Sequence, residues 1–158
     1  MITVLFVCLG NICRSPMAEA IFRELVKKEG MESKFRIDSA GLGNWHAGDS
    51  PHQGTRNILR KNQISSEGIV ARQITATDLT NFDYIIAMDD DNIEGIRKLQ
   101  KAEPTSFVGK LLDFVDEEVE KNVPDPYYTG NFEVVYELVT KGCELLLEKI
   151  KAEHNIRQ

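Results

Sequence analysis

The 158 residues include only three cysteines, at positions 8, 13 and 143, with none of the close pairing of a small secreted scaffold. A disulfide framework is thereby excluded as the source of stability, and a reducing compartment is expected. Histidine is as scarce, with three residues. No Cys, His, Asp and Glu spacing forms a metal-ligand cluster, so neither a metal nor another cofactor is expected. Lys and Arg total 19 against 25 Asp and Glu, a net charge of −6. Without a concentrated basic surface, a general nucleic-acid binder is excluded. No apolar run approaches the length of a membrane span, and no basic segment followed by a long apolar core opens the chain. The expectation is a cytoplasmic protein that touches no membrane, although export by a signal-independent route would leave the same sequence. Repeats, low-complexity stretches and a linker are also missing. With 42% hydrophobic residues, the chain reads as one domain, 1–158, able to bury its own core.

What is present is concentrated in Val7-Cys8-Leu9-Gly10-Asn11-Ile12-Cys13-Arg14-Ser15-Pro16. The run Ile2–Val7 reads as a buried strand with Cys8 at its carboxyl end. Ser15 reads as an N-cap and Pro16 as the first residue of a helix continued by Met17, Ala20, Ile21 and Leu25. Between strand and helix, Leu9, Gly10, Asn11, Ile12 and Cys13 form a loop long enough to curl around one tetrahedral oxyanion such as phosphate. Gly10 permits close approach or a positive φ, and Asn11 tolerates the left-handed region. Arg14 offers paired donors to two phosphate oxygens. Inward amides, a helix N-terminus and Arg14 would each favour Cys8 as a thiolate, so the loop is a phosphate cradle with a nucleophile built in.

Further along, strands are expected around Phe35 to Ser39, Tyr84 to Met88 and Thr105 to Leu111, and helices at Pro16 to Lys28, Pro51 to Asn62 and Asn92 to Leu99. Asn131 caps a long helix with Phe132, Val135, Leu138, Val139, Gly142, Leu145, Leu146 and Ile150 along one side. These elements make an α/β single domain, a four-stranded parallel open sheet with helices on both faces, whose ligands bind at strand carboxyl ends.

The string VCLGNICRSPMAEA, with Asp125-Pro126-Tyr127-Tyr128, closely resembles the low-molecular-weight protein tyrosine phosphatases. The resemblance extends through Asp38-Ser39-Ala40-Gly41 with Trp45, Ala71-Arg72-Gln73, and Phe82 to Asp89. It implies the phosphotyrosine phosphatase I fold, hydrolysis of phosphotyrosine and small aryl phosphates through a phosphocysteine intermediate, and phosphotyrosine-containing proteins as partners of a monomer. Cys8, Arg14 and Asp125 would be catalytic, Asp125 as general acid. Leu9, Trp45, Tyr127 and Tyr128 would wall the substrate ring. Asn11, Ser15 and Ser39 would support the cradle, and Asp89 would hold its arginine. The family also implies a Cys8–Cys13 disulfide that protects the nucleophile from over-oxidation, the alternative for Cys13 being a plain packing role. In one respect the chain departs: no histidine lies between His52 and His154, so none stands just before Ala71-Arg72-Gln73 to brace the cradle asparagine, and the loop must be braced differently.

Other readings lie beside this one. An arsenate reductase would need relay cysteines, and the only later one, Cys143, reads as core. A phosphotyrosine-binding module without catalysis would not need Cys8, Arg14 and Asp125 together, and a redox sensor could coexist with catalysis. His46 and His52 read as loop residues at the surface or pocket rim. Asp90 and Asp91 read as a solvated helix start, and Asp116, Glu117, Glu118 and Glu120 as a solvated face.

Overall fold

Near-continuous apolar character makes β1 (Ile2–Cys8) a strand covered on both faces, which favours parallel neighbours. The computed structural model describes residues 1–100, 105–115 and 121–155. In it β1 lies inside a four-stranded sheet of order β2-β1-β3-β4, with β2 (Phe35–Gly41), β3 (Tyr84–Ala87) and β4 (Phe107–Lys110). All three pairings are parallel, with Cys8 opposite Gly41 and Val7 opposite Ala87. The acidic run at 116–120 lies outside the described residues.

The helices are α1 (Arg14–Lys28), α2 (Gln53–Lys61), α3 (Asp78–Asn81), α4 (Asp90–Leu99), α5 (Pro126–Thr129) and α6 (Phe132–Glu153). Side chains alternate across β1, which divides the core. Val4, Phe6 and Cys8 pack with Met17 and Phe22 of α1 and with Val139, Cys143 and Leu146 of α6. Leu5 and Val7 pack on the other face with Ile85, Leu79 and Ile96. Phe22 meets Phe6 and Phe35 edge-on at 5.6 and 5.9 Å. Helices therefore cover both faces, and every parallel strand delivers its carboxyl end to the same side of the sheet.

Several boundaries differ from the sequence reading. Helix α1 starts at Arg14 with Cys13 as its N-cap, and the capping residue makes no side-chain cap bond. Ser15 is therefore inside the helix, its hydroxyl drawn to the Cys8 sulfur instead of to a backbone N–H. Pro16 is accommodated because first-turn N–H groups have no intrahelical partner to lose. Strand β4 is shorter than Thr105 to Leu111 because Leu111–Phe114 forms a 3-10 turn. Helix α4 starts earlier than Asn92: Asp89 caps it by accepting from Asn92 N, while Asn92 accepts from Asp89 N. The one-turn helices α3 and α5 are too short to carry a periodic signal.

Candidate active site

Two departures from ordinary burial meet at the carboxyl end of β1. Five of the buried polar residues, Asn11, Arg14, Ser15, Glu19 and Ser39, surround the loop after Cys8. Four of the exposed large apolar residues, Leu9, Trp45, Tyr127 and Tyr128, stand at its mouth. Buried polar and exposed apolar groups are the informative exceptions in a folded chain.

The loop is held by its outward carbonyls. Leu42 N donates to Cys8 O, Gly43 N to Leu9 O, His52 N to Ile12 O, and Met17 N to Cys13 O. Thr55 Oγ1 also donates to Cys13 O. Spending the carbonyls outward turns the amide edge of the loop inward, where Asn11 N donates to Cys8 Sγ at 3.3 Å. The positive φ of the loop falls on Asn11, at 59°, not on Gly10. At Gly10 a Cβ would crowd the His46 ring at 3.3 Å, so that ring would have to give by a few tenths of an ångström. Gly41 is needed more strictly, because a Cβ would meet Asn11 Cβ at 2.9 Å and Leu9 O at 3.0 Å.

The Asn11 side chain organises the floor. Its Oδ1 accepts from Arg72 N at 3.0 Å, so a backbone amide braces it in this chain, which has no histidine at that place. Its Nδ2 donates to Ser15 Oγ at 2.8 Å and to Ser39 Oγ at 3.0 Å. A hydroxyl that accepts from Asn11 is left to donate onward, and Ser15 Oγ lies 2.9 Å from Cys8 Sγ. The sulfur thus sits between an amide donor and a hydroxyl able to donate to it. The main chain holds Arg72 O against Gly41 N, and the Arg72 guanidinium bridges Asp38 and, through two nitrogens, Asp78.

Arg14 is 3% exposed. Its Nη1 donates to Asp89 Oδ2 at 2.6 Å and to Val123 O at 2.9 Å. Its Nη2 is 3.4 Å from Asp125 Oδ2, and its buried Nε has no partner among the described residues. Burial opposes the charge, but Cys8 and the carboxylates of Asp89 and Asp125 outweigh it and hold the Arg14 pKa above its ordinary value. The edge formed by Nε, unpartnered among the described residues, and Nη2, which donates weakly to Asp125 at 3.4 Å, is a pair of donors spaced for two oxygens of one anion.

Above the loop is a cavity of about 290 Å³ lined by Cys8 through Cys13 with Trp45, His46, Asp125, Tyr127 and Tyr128. Arg14, Ser15, Ser39 and Asp89 stand behind this lining. Asp125 caps α5 through Tyr127 N at 3.1 Å, which fixes its carboxyl at the cavity. Sequence reasoning left His46 open between rim and surface; in the structure its ring lines the cavity, lies 6.3 Å from Tyr127 and has Nδ1 3.3 Å from Asp49 Oδ2. His52 instead stacks on Phe132 and caps α2 through Gly54 N. Glu19, which sequence reasoning missed, lies under the floor and accepts from Ser39 Oγ at 2.7 Å.

Of the cysteines, all three are free and buried. Burial first, then Asp125 and Cys8, push the Cys13 thiol up to about 12. Cys143 is fully buried on α6, its thiol pushed up by burial and pointed at Ala18 O, which is no position for a redox relay. No group of His, Cys, Asp and Glu among the described residues is arranged to hold a metal ion, and none of the described helices is long and apolar enough to cross a membrane.

A family model described as low molecular weight phosphotyrosine protein phosphatase matches residues 3–156. The chain is 56% identical over 156 residues to the low molecular weight protein-tyrosine-phosphatase YfkJ of Bacillus subtilis (strain 168), covering 99% of this chain and 100% of that protein. It is 44% identical over 158 residues to PtpA of Staphylococcus aureus (strain MRSA252), covering 100% and 99%. The crystal structure of YfkJ from Bacillus subtilis superposes with a TM-score of 0.94 at 57% identity, over 97% of this chain and 96% of that one.

Proposed function

The chain belongs to the low molecular weight phosphotyrosine protein phosphatase family and is a cysteine-dependent protein tyrosine phosphatase, and from that premise we propose that Cys8, Arg14 and Asp125 carry out the hydrolysis. Cys8 Sγ attacks phosphorus in line, helped as a thiolate by the donors at Asn11 N and Ser15 Oγ. Asp125 protonates the departing phenolic oxygen as the P–O bond breaks, leaving phosphocysteine. The ionised Asp125 then takes a proton from water as that water attacks phosphorus, releasing phosphate and the thiolate. The loop amides and the Nε–Nη2 edge of Arg14 hold the equatorial oxygens in both steps. Asp89 and Val123 O anchor the other edge and keep the guanidinium turned the right way.

The observation that carries this reading is the meeting of Cys8 and Asp125 in one cavity, with Asp125 already 3.4 Å from the cradle arginine. Leu9, Trp45, Tyr127 and Tyr128, with His46, give the cavity aromatic and apolar walls that suit a phenyl ring, so phosphotyrosine-containing proteins are its partners. An arsenate reductase is disfavoured by the burial of Cys143, and a binding module without catalysis by the intact nucleophile and acid. The enzyme works as a cytoplasmic monomer, away from nucleic acid and membranes. Its Cys8 and Cys13 form a protective disulfide under oxidation. Cys8→Ser tests the assignment: turnover of an aryl phosphate is abolished while the far-UV circular dichroism spectrum is kept and phosphotyrosine proteins are retained on the variant. Residual turnover at the wild-type rate would remove Cys8 from the mechanism.

A further inference from the structure

We propose that Glu19 is a positioning residue for the nucleophile, acting as the terminal acceptor of a buried hydrogen-bond relay through Ser39, Asn11 and Ser15 to Cys8. The proposal rests on the reading of Cys8 as the nucleophile. Asn11 has two amide hydrogens, and both are spent, on Ser15 Oγ and Ser39 Oγ. Each hydroxyl therefore receives one hydrogen from the same amide and must send its own elsewhere. Ser15 Oγ, 2.9 Å from Cys8 Sγ, donates to it once the sulfur is the thiolate that attacks, and Ser39 sends its hydrogen to Glu19 Oε1. The two branches are alike in form, with sulfur ending one and a carboxyl ending the other.

All members of the relay are buried: Asn11 is 2% exposed, Ser15 0%, Ser39 1% and Glu19 6%. Water cannot replace a missing acceptor there without repacking. If the Glu19 carboxyl is removed, the Ser39 hydrogen is stranded, and an unsatisfied buried donor is costly. Ser39 then competes for other acceptors nearby, Asn11 loses the fixed recipient of one amide hydrogen, and the Ser15 hydroxyl is no longer forced toward sulfur. Coupling within one such network exceeds the sum of its pairs.

The setting of the carboxyl explains how it serves without placing a fixed negative charge under the cradle. Glu19 is faced by Arg23 of its own helix at 3.8 Å, by Asp38 of β2 and by Arg72 from the loop before α3. Arg72 is committed to Asp38 and Asp78, which leaves Arg23, 3.8 Å away, as the one cation paired with Glu19 among the described residues. Burial, reinforced by Asp38 and opposed by the Ser39 hydrogen bond and the two arginines, raises the carboxyl to about 7. In its neutral form the group still offers a carbonyl oxygen to Ser39, and it spares the thiolate a nearby anion.

Glu19→Gln keeps an acceptor of the same reach, whereas Glu19→Leu keeps the volume without one. Two readouts separate the possibilities: kcat/KM for an aryl phosphate, and the rate at which neutral iodoacetamide alkylates Cys8, which needs no turnover. We expect Glu19→Gln within about threefold of wild type near pH 6, and Glu19→Leu at least about tenfold slower in both readouts. Glu19→Gln should also lose an inflection near pH 7 that wild type carries. Ser39→Ala, which cuts the relay with little change in volume, should match Glu19→Leu and keeps the test open if the leucine variant does not fold. Folded Glu19→Leu or Ser39→Ala alkylating at the wild-type rate would overturn the proposal, as would Glu19→Gln as impaired as Glu19→Leu. Superimposable pH profiles for wild type and Glu19→Gln would equally overturn it. A failure of the underlying reading looks different: wild-type turnover would survive complete alkylation of Cys8.

Discussion

Replacing Glu19 by glutamine removes a titrating group while keeping a hydrogen-bond acceptor, and the consequence for folding stability can be worked out with its sign. Burial is the main reason the carboxyl titrates at about 7 in the folded protein against an ordinary value of 4.5. Below about 4.5 both folded and unfolded chains hold the proton, and the group adds no pH dependence. Between about 4.5 and 7 the unfolded chain has released its proton and the folded chain still holds it. Stability therefore falls as pH rises through this window, and the loss is complete above about 7. The rise from 4.5 to about 7 is worth on the order of 3 kcal/mol. Glutamine cannot titrate, so the stability of Glu19→Gln relative to wild type climbs by about that amount between about pH 4.5 and 8. Urea denaturation followed by far-UV circular dichroism at several pH values measures the difference, and comparing pH slopes removes any constant cost of the amide. Parallel stability curves for the two proteins would show that Glu19 is not held protonated by its surroundings and would refute the reasoning.

Three further outcomes follow from the site. Asp125→Asn should slow phenyl phosphate by ~10² or more and p-nitrophenyl phosphate by much less, because only the poorer leaving group needs the proton; steady-state kinetics with equal slowing would remove Asp125 as the acid. Asp89→Asn keeps the cap of α4, since asparagine caps as well as aspartate, but loses the charge on Arg14 Nη1 at 2.6 Å. It should lower kcat/KM about tenfold or more and also lower the thermal midpoint, because the buried guanidinium loses a carboxylate partner, and an unchanged kcat/KM would show that Arg14 needs no anchor. Cys13→Ser should be inactivated by peroxide without recovery in thiol, whereas wild type recovers; equal recovery would exclude a disulfide between Cys8 and Cys13 as the protective step.

Much of the site could be read from the chain because its chemistry is local. Cys8, Asn11 and Arg14 sit in one loop between a buried strand and a helix, where residue type and spacing carry the meaning. The Asp125-Pro126-Tyr127-Tyr128 segment is different: by local rules alone its aspartate is an ordinary turn residue, and only the family resemblance marks it as the acid that the fold brings to 3.4 Å from Arg14. Ser15 looks like a helix cap by local rules, and only the nearby sulfur redirects its hydroxyl. The brace on Asn11 is a backbone N–H of Arg72, which no side-chain pattern can announce. His46 reaches the cavity through the course of a loop, and that course depends on contacts such as its ring against Gly10. Glu19 lies among Met17, Ala18 and Ala20 on a helix and differs from a surface glutamate only because β2 brings Ser39 to it. The parallel sheet and its two-sided packing followed from apolar strands alternating with helices, whereas the strand order β2-β1-β3-β4 carries no such signal and α3 and α5 were too short to leave a period.

The central claim is that the Cys8 sulfur accepts the phosphoryl group during turnover. Rapid acid quenching of the enzyme mixed with an aryl phosphate, followed by peptide mass spectrometry, addresses it most directly. The peptide containing Cys8 should carry the mass of one phosphoryl group on sulfur, in a fraction that rises within the first turnover and is lost on standing. Steady turnover with that peptide unmodified at every time point, or with the phosphoryl group on another residue, would contradict the account.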